Sequence, residues 1–283
     1  MIAKSQASWS TSVARNENKL LITSCLISTD YEANVFLELD TETSLLKNVR
    51  WEVYRTPAGM TLRYGEISEL KGVAVMSYST RLFLHTLDTD LQGVLVELVS
   101  EALRGVIQSL NFLLKERGYP TSKIFRENWC NFFLGSCIHF STLEQVTSHL
   151  AEMVEEQLVS LRKESIFQRH KSYHIFANSD GSLFATAGFA DTYHEIILTI
   201  AFSPGGQVTE ISGSLLRSPS IRCCDGLELL NRLIGTNLTK LRKKEIADFV
   251  GGSSGCTHIV EMCYDLGAAL SASKVTQLTC FEI

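Results

Sequence analysis

Two Arg-x-Pro tripeptides, Arg55-Thr56-Pro57 and Arg217-Ser218-Pro219, stand 162 positions apart (217 − 55), and each closes a region that reads as short strands. Tyr31 and Tyr193 stand at the same offset (193 − 31), and each opens a pair of strand-like segments. Farther on, Val96-Glu97-Leu98 and Val260-Glu261-Met262 lie inside long helical patterns at an offset of 164 (260 − 96), and both stretches end on a cysteine, Cys137 and Cys280. A fixed order of landmarks at a nearly fixed offset is what an internal duplication leaves behind. It restricts the chain to architectures that can be built twice.

Each half begins with strand signals and ends with helix signals. The segments 19–28, 33–40 and 45–55 are short, rich in β-branched or aromatic residues, and bounded by turn formers. Apolar residues at Leu95, Leu98, Val99, Ala102, Leu103, Val106, Ile107 and Leu110 then recur at helical spacing within 91–116, and a helical hairpin is expected near 66–90. The second half repeats the order, with four strands from Tyr173 to Arg217 and helices at 225–234, 239–250 and 257–273. Between the halves, 141–165 carries one apolar stripe (Leu143, Val146, Leu150, Val154, Leu158, Leu161) behind a capping box of Ser141 and Glu144. The expected fold is α+β: two related domains, each an antiparallel sheet followed by packed helices, joined by a long helix. The boundaries are a disordered tail at 1–18, a degenerate first domain at 19–140, the connecting helix at 141–165 and a second domain at 166–283. The stripe of the connecting helix offers a surface for a protein partner or for a homodimer.

Composition excludes several classes. With 26 basic and 31 acidic side chains the net charge is −5, so no nucleic-acid or anionic-membrane partner is expected. The one dense basic run, Lys240 to Lys244, reads as a solvated helix face. No window nears the roughly 18 apolar residues of a membrane span, and the polar N-terminus lacks a signal-peptide core, so a cytoplasmic location is the default. Eight cysteines in 283 residues, none in a Cys-x-x-Cys, do not form a secreted disulfide framework. Most are expected as buried thiols.

The chemistry concentrates in Gly251-Gly252-Ser253-Ser254-Gly255-Cys256-Thr257-His258. Side chains two apart on a helix point to opposite sides, so Cys256 and His258 converge only if Cys256 sits in the glycine loop and His258 in the first helical turn. A thiol at a helix N-terminus is favoured as thiolate, the form that binds soft metal or attacks an electrophile. Glu261, one turn on, is placed to orient His258, and Cys263 falls on the apolar stripe. The corresponding stretch of the first half, Asp90 to Val94, has neither group, so the shared pattern does not need them. Cys223-Cys224 adds thiols in a polar junction, and in extended chain one should point inward and one outward.

This order of residues resembles the bacterial family of unknown function DUF2889. The resemblance rests on Arg217 and Pro219, then Cys223 or Cys224, then Leu233-Ile234-Gly235, the block at 251–258 and the late Cys280. It covers 172–283 and transfers a pattern without a reaction. A glycine loop with a cysteine entering a helix, an earlier loop cysteine and a late cysteine are also similar to iron–sulfur scaffold proteins of the NifU and SufU kind, which implies ligands of that type. The expected site is a zinc or iron–sulfur centre on Cys224, Cys256, His258 and Cys280, with Cys223 as the alternative to Cys224. The competing expectations are a thiol enzyme or sulfur carrier with Cys256 as nucleophile, and a non-catalytic partner-binding protein.

Overall fold

The computed structural model describes residues 1–77, 84–114, 116–118, 122–141 and 162–273. Among the described residues, nine strands carry the fold: β1 (Ile2–Asn16), β2 (Lys19–Ser28), β3 (Glu32–Asp40), β4 (Leu46–Thr56), β5 (Gly59–Glu66), β6 (Ser165–Ala177), β7 (Leu183–Asp191), β8 (Glu195–Phe202) and β9 (Val208–Arg217). The described helices are α1 (Gln92–Ser109), α2 (Ser122–Phe133), α3 (Lys243–Val250) and α4 (Thr257–Ser273), with several 3₁₀ segments between them. All nine strands belong to one antiparallel sheet in the order β5-β4-β3-β2-β1-β6-β7-β8-β9.

That sheet overturns the expected pair of sheet-plus-helix domains joined by a long helix. The first half is mostly sheet, and residues 2–16, read as a tail, are its longest strand. The reason lies in the side chains of β1. Its buried positions are Ala7, Thr11 and Val13, so small and hydroxyl residues replace the large apolar ones that mark a strand. Thr11 is nevertheless satisfied, because its Oγ1 lies 3.0 Å from the hydroxyl of buried Ser24. β5, where no strand was expected, follows a two-residue turn at Pro57-Ala58 in which Thr56 pairs with Gly59 (φ +117). The helical hairpin expected at 66–90 consists, among the described residues, of short 3₁₀ turns such as Ser68–Leu70. The connecting-helix stripe and Cys280 lie outside the described residues.

By contact the chain divides into two compact units: Met1–Ala7, Cys130–His149 and Lys171–Ile283 form one, and Ser8–Trp129 and Leu150–His170 the other. In the latter, α1 buries Leu95, Leu98, Val99, Ala102 and Val106, the stripe its spacing predicts. A Cβ on Gly105 would stand 2.9 Å from Thr11 Cγ2, so the glycine lets this helix approach β1 closely. The same unit holds an ion pair in which buried Arg169 Nε donates to Glu101 at 2.9 Å.

The unit that contains α4 has its own core of Tyr173, Ile175, Phe189, Ile196, Leu198 and Phe202 from the sheet, against Ile259, Met262, Cys263 and Leu266 from α4. Each such large apolar side chain, fully buried, contributes about 1.5–3 kcal/mol relative to exposure. Beneath α4, Lys171 Nζ donates to Glu261 (3.2 Å) and Asp265 (2.6 Å), and the Tyr173 hydroxyl donates to Asp265 (3.0 Å). The helix expected at 225–234 is instead part of a 3₁₀ run, Ile221–Leu233, capped by Ser220, whose side chain accepts from Arg222 N–H. Among the described residues, no helix is long and apolar enough to cross a membrane.

Candidate functional site

The glycine loop is shaped by close backbone approach. A Cβ on Gly255 would lie 2.1 Å from the Val250 carbonyl oxygen, and one on Gly251 2.9 Å from that of Ala247, while Gly252 takes φ +67. The folded loop lets Cys256 N–H donate to Val250 C=O (2.9 Å), and the Cys256 carbonyl accepts from Val260 N–H (3.1 Å). Cys256 thereby precedes the first turn of α4, with His258 inside it. Their side chains meet: Cys256 Sγ is 3.9 Å from His258 Nδ1.

Two other segments bring thiols to this helix end. Ile138 N–H donates to the Gly255 carbonyl (2.8 Å), and the Thr257 hydroxyl donates to the Ser136 carbonyl (2.8 Å), which pins the loop around Cys137 beside Cys256. Gly226, in the 3₁₀ run that carries Cys223, lies beside Cys256: a Cβ there would stand in ordinary contact, 3.6 Å from Cys256 Cβ. Of the vicinal pair, Cys223 is buried and Cys224 half-buried. Cys137, Cys223 and Cys256 lie close enough for charge on one to disfavour charge on another.

The expectation of a depressed Cys256 pKa fails. Burial pushes the thiol up to about 12, charge on Cys137 and Cys223 adds to the rise, and the N–H groups of Ile259 and His258 only oppose it. Those N–H groups are the helix-end effect that the sequence predicts, and desolvation outweighs them. Cys223 is pushed up to about 11, first by burial and then by Cys137. Glu261, expected to orient His258, accepts from the Lys171 ammonium at 3.2 Å.

On the other side of His258 lies a group that the sequence reading missed. Asp191 ends β7, and its Oδ1 accepts the backbone N–H groups of Tyr193 and His194, both at 2.7 Å. The same oxygen is 3.1 Å from His194 Nδ1. The His194 and His258 rings are 4.1 Å apart between centroids, and Phe189 lies 4.7 Å from His258. Asp191, His194 and His258 each offer a donor atom, and these atoms all lie within 4.8 Å of one another. Burial raises the Asp191 pKa, but the His194 hydrogen bond, the charges of His194 and His258 and the Tyr193 N–H outweigh it, leaving the carboxyl at about 2. The available signal was the tetrapeptide Asp-Thr-Tyr-His at a strand turn, which marks an Asx turn and does not reveal that α4 lies beside it.

The first half contains the same turn without this chemistry. Ser28 N–H donates to the Tyr31 carbonyl (2.8 Å), as Asp191 N–H donates to that of His194 (2.9 Å). Ser28 Oγ accepts from the N–H groups of Asp30 and Tyr31, as Asp191 Oδ1 does from those of Tyr193 and His194. Arg55 donates to the carbonyls of Ser28 and Tyr31, and Arg217 to those of Thr192 and His194. The pairing registers agree as well: Glu32 faces Arg55 and Glu195 faces Arg217, each followed by an irregularity in the ladder. At this turn the offset is 163, so Tyr31 corresponds to His194 rather than to Tyr193.

No curated protein and no solved structure matches the chain. Residues 167–271, which include Asp191, His194, Cys223, Cys224, Cys256 and His258 but neither Cys137 nor Cys280, match the model of a family described as a protein of unknown function, DUF2889.

Proposed function

We propose that the α4 end of the second half binds a transition metal, zinc or iron–sulfur, with Cys256 and His258 as its core ligands. The observation that carries this reading is the meeting of Cys256 Sγ and His258 Nδ1 at 3.9 Å, with further donors on both sides. Cys223 and Cys137 stand on the thiol side, and Asp191 and His194 on the imidazole side. Thiolate and imidazole are the donor types that such metals take. A cation at Cys256 also supplies the missing reason for a thiolate in a desolvated position, because metal binding releases the thiol proton. Cys224, half-buried, is the weaker thiolate candidate of the vicinal pair.

The first half supports a functional rather than architectural role for these groups. We read the two halves as copies of one unit, on the shared turn, latching arginine and strand register described above. The copy at Ser28 and Tyr31 keeps the turn without carboxylate or imidazole, and Gln92 and Val94 stand near the positions of Cys256 and His258.

A thiol enzyme or sulfur carrier using Cys256 is the second reading, favoured by the same Cys–His contact. Burial and the raised thiol pKa weigh against it, since a nucleophile needs both access and thiolate. Elemental analysis and an absorption spectrum of anaerobically purified protein separate the two. Near-stoichiometric metal that is lost in Cys256→Ala supports the metal reading. A stable, metal-free protein whose Cys256 alone reacts with iodoacetamide at neutral pH replaces it with the second.

A further inference from the structure

We infer that His194, presented by Asp191, is a ligand of the Cys256–His258 centre, so that the site takes a single borderline-soft divalent cation of the zinc class rather than an iron–sulfur cluster. The inference rests on the metal reading above and adds the ligand set. Ligand atoms bonded at about 2.0–2.3 Å to one tetrahedral ion lie roughly 3.3–3.8 Å from each other. The donor atoms of Asp191, His194 and His258 are within 4.8 Å of one another, and Cys256 Sγ is 3.9 Å from His258 Nδ1. His258 is common to both sets, and Cys256 Sγ, which is not part of the 4.8 Å group, has to turn toward the imidazoles for one ion to take Cys256, His258 and His194 together.

The Asp191–His194 arrangement also has the form of a presented ligand. Asp191 holds His194 at Nδ1 (3.1 Å), which leaves Nε2 as the metal-binding nitrogen. A divalent ion, one thiolate and one carboxylate sum to zero charge, which suits a half-buried position. The charge and the ring exceed what the turn needs, because Ser28 caps the equivalent turn with a hydroxyl and Tyr31 fills the place of His194.

That comparison supplies the test variants. Asp191→Ser and His194→Tyr install the residues that the same turn already accommodates in the first half, and His194→Phe removes any remaining donor. Cobalt(II) titration of the full-length protein reads affinity from competition with a chelator, and ligand type from the visible and sulfur-to-cobalt charge-transfer bands. The wild type is expected to show both sets of bands. His194→Phe and His194→Tyr should weaken binding about 100-fold or more and shift the visible bands, and Asp191→Ser should weaken it about 10- to 100-fold. Thermal unfolding of the metal-free variants should stay close to that of the metal-free wild type. Unchanged bands and affinity in His194→Phe would overturn the assignment of His194 while leaving the Cys256–His258 site standing. A wild type that binds neither cobalt nor zinc, nor holds a cluster, overturns this inference together with the reading beneath it.

Discussion

Replacing Gly255 by alanine tests how the glycine loop places Cys256. The new methyl would meet the Val250 carbonyl oxygen at 2.1 Å, the Val250 carbonyl carbon at 2.4 Å and Gly251 N at 2.7 Å. All three are backbone atoms, so no rotamer change relieves the contact. The loop has to open, which breaks the Cys256 N–H to Val250 bond and disturbs the Gly255 carbonyl that accepts from Ile138. Overpacking of this kind costs about 1–3 kcal/mol, and each lost hydrogen bond about 1 kcal/mol, so a loss of about 4 kcal/mol is expected. Gly252→Ala is the matched control. Its position has φ +67 and nothing within 4 Å, so only left-handed strain applies, at about 1–2 kcal/mol. Urea unfolding of the two variants should separate them by about 2–3 kcal/mol, and Gly255→Ala alone should lose metal affinity at least tenfold. Equal stabilities, or full metal affinity in Gly255→Ala, would refute this account of the loop.

Removing the Lys171 ammonium by Lys171→Met leaves Glu261 and Asp265 buried without it, and chemical denaturation should register a loss of about 3–5 kcal/mol. Burial, with charge on Asp265 and Cys256 adding, pushes the Cys263 thiol up to about 12. The protonated thiol is favoured in the fold, so its contribution is complete below pH ~9 and is lost as pH rises toward 12, by up to about 4 kcal/mol. Urea midpoints measured from pH 8 to 11 should therefore fall less steeply in Cys263→Ala than in the wild type, and parallel curves would contradict the assignment. Arg55→Ala and Arg217→Ala each remove two donors to turn carbonyls at part-exposed positions, and each should cost about 1 kcal/mol in the same assay.

The parts of the fold written in short-range pattern were legible. Helical spacing located α4 at 257–273 and placed Cys263 on its buried face, and the expected helix at 91–116 contains α1, which ends earlier at Ser109. β1 was hidden because its buried face is made of alanine, threonine and valine, a composition that hydropathy cannot separate from a polar tail. Cys256 and His258 stood out because they are neighbours in sequence. His194 did not, since 64 positions separate it from His258 (258 − 194) and only the packing of α4 against the β7–β8 turn brings the rings together. Cys137 is hidden in the same way, held near Cys256 by two backbone carbonyls of its own and the glycine loop. The thiol pKa reversed for a related reason: a helix end is visible in sequence, whereas the desolvation that outweighs it is a property of the packed state.

X-ray absorption at the metal edge of the loaded protein tests the metal-centre reading most directly. A mixed shell is expected, with nitrogen or oxygen at about 2.0–2.1 Å and sulfur at about 2.3 Å, and loss of the sulfur contribution in Cys256→Ala. A shell of oxygen alone, or a sulfur contribution that survives Cys256→Ala unchanged, would contradict it.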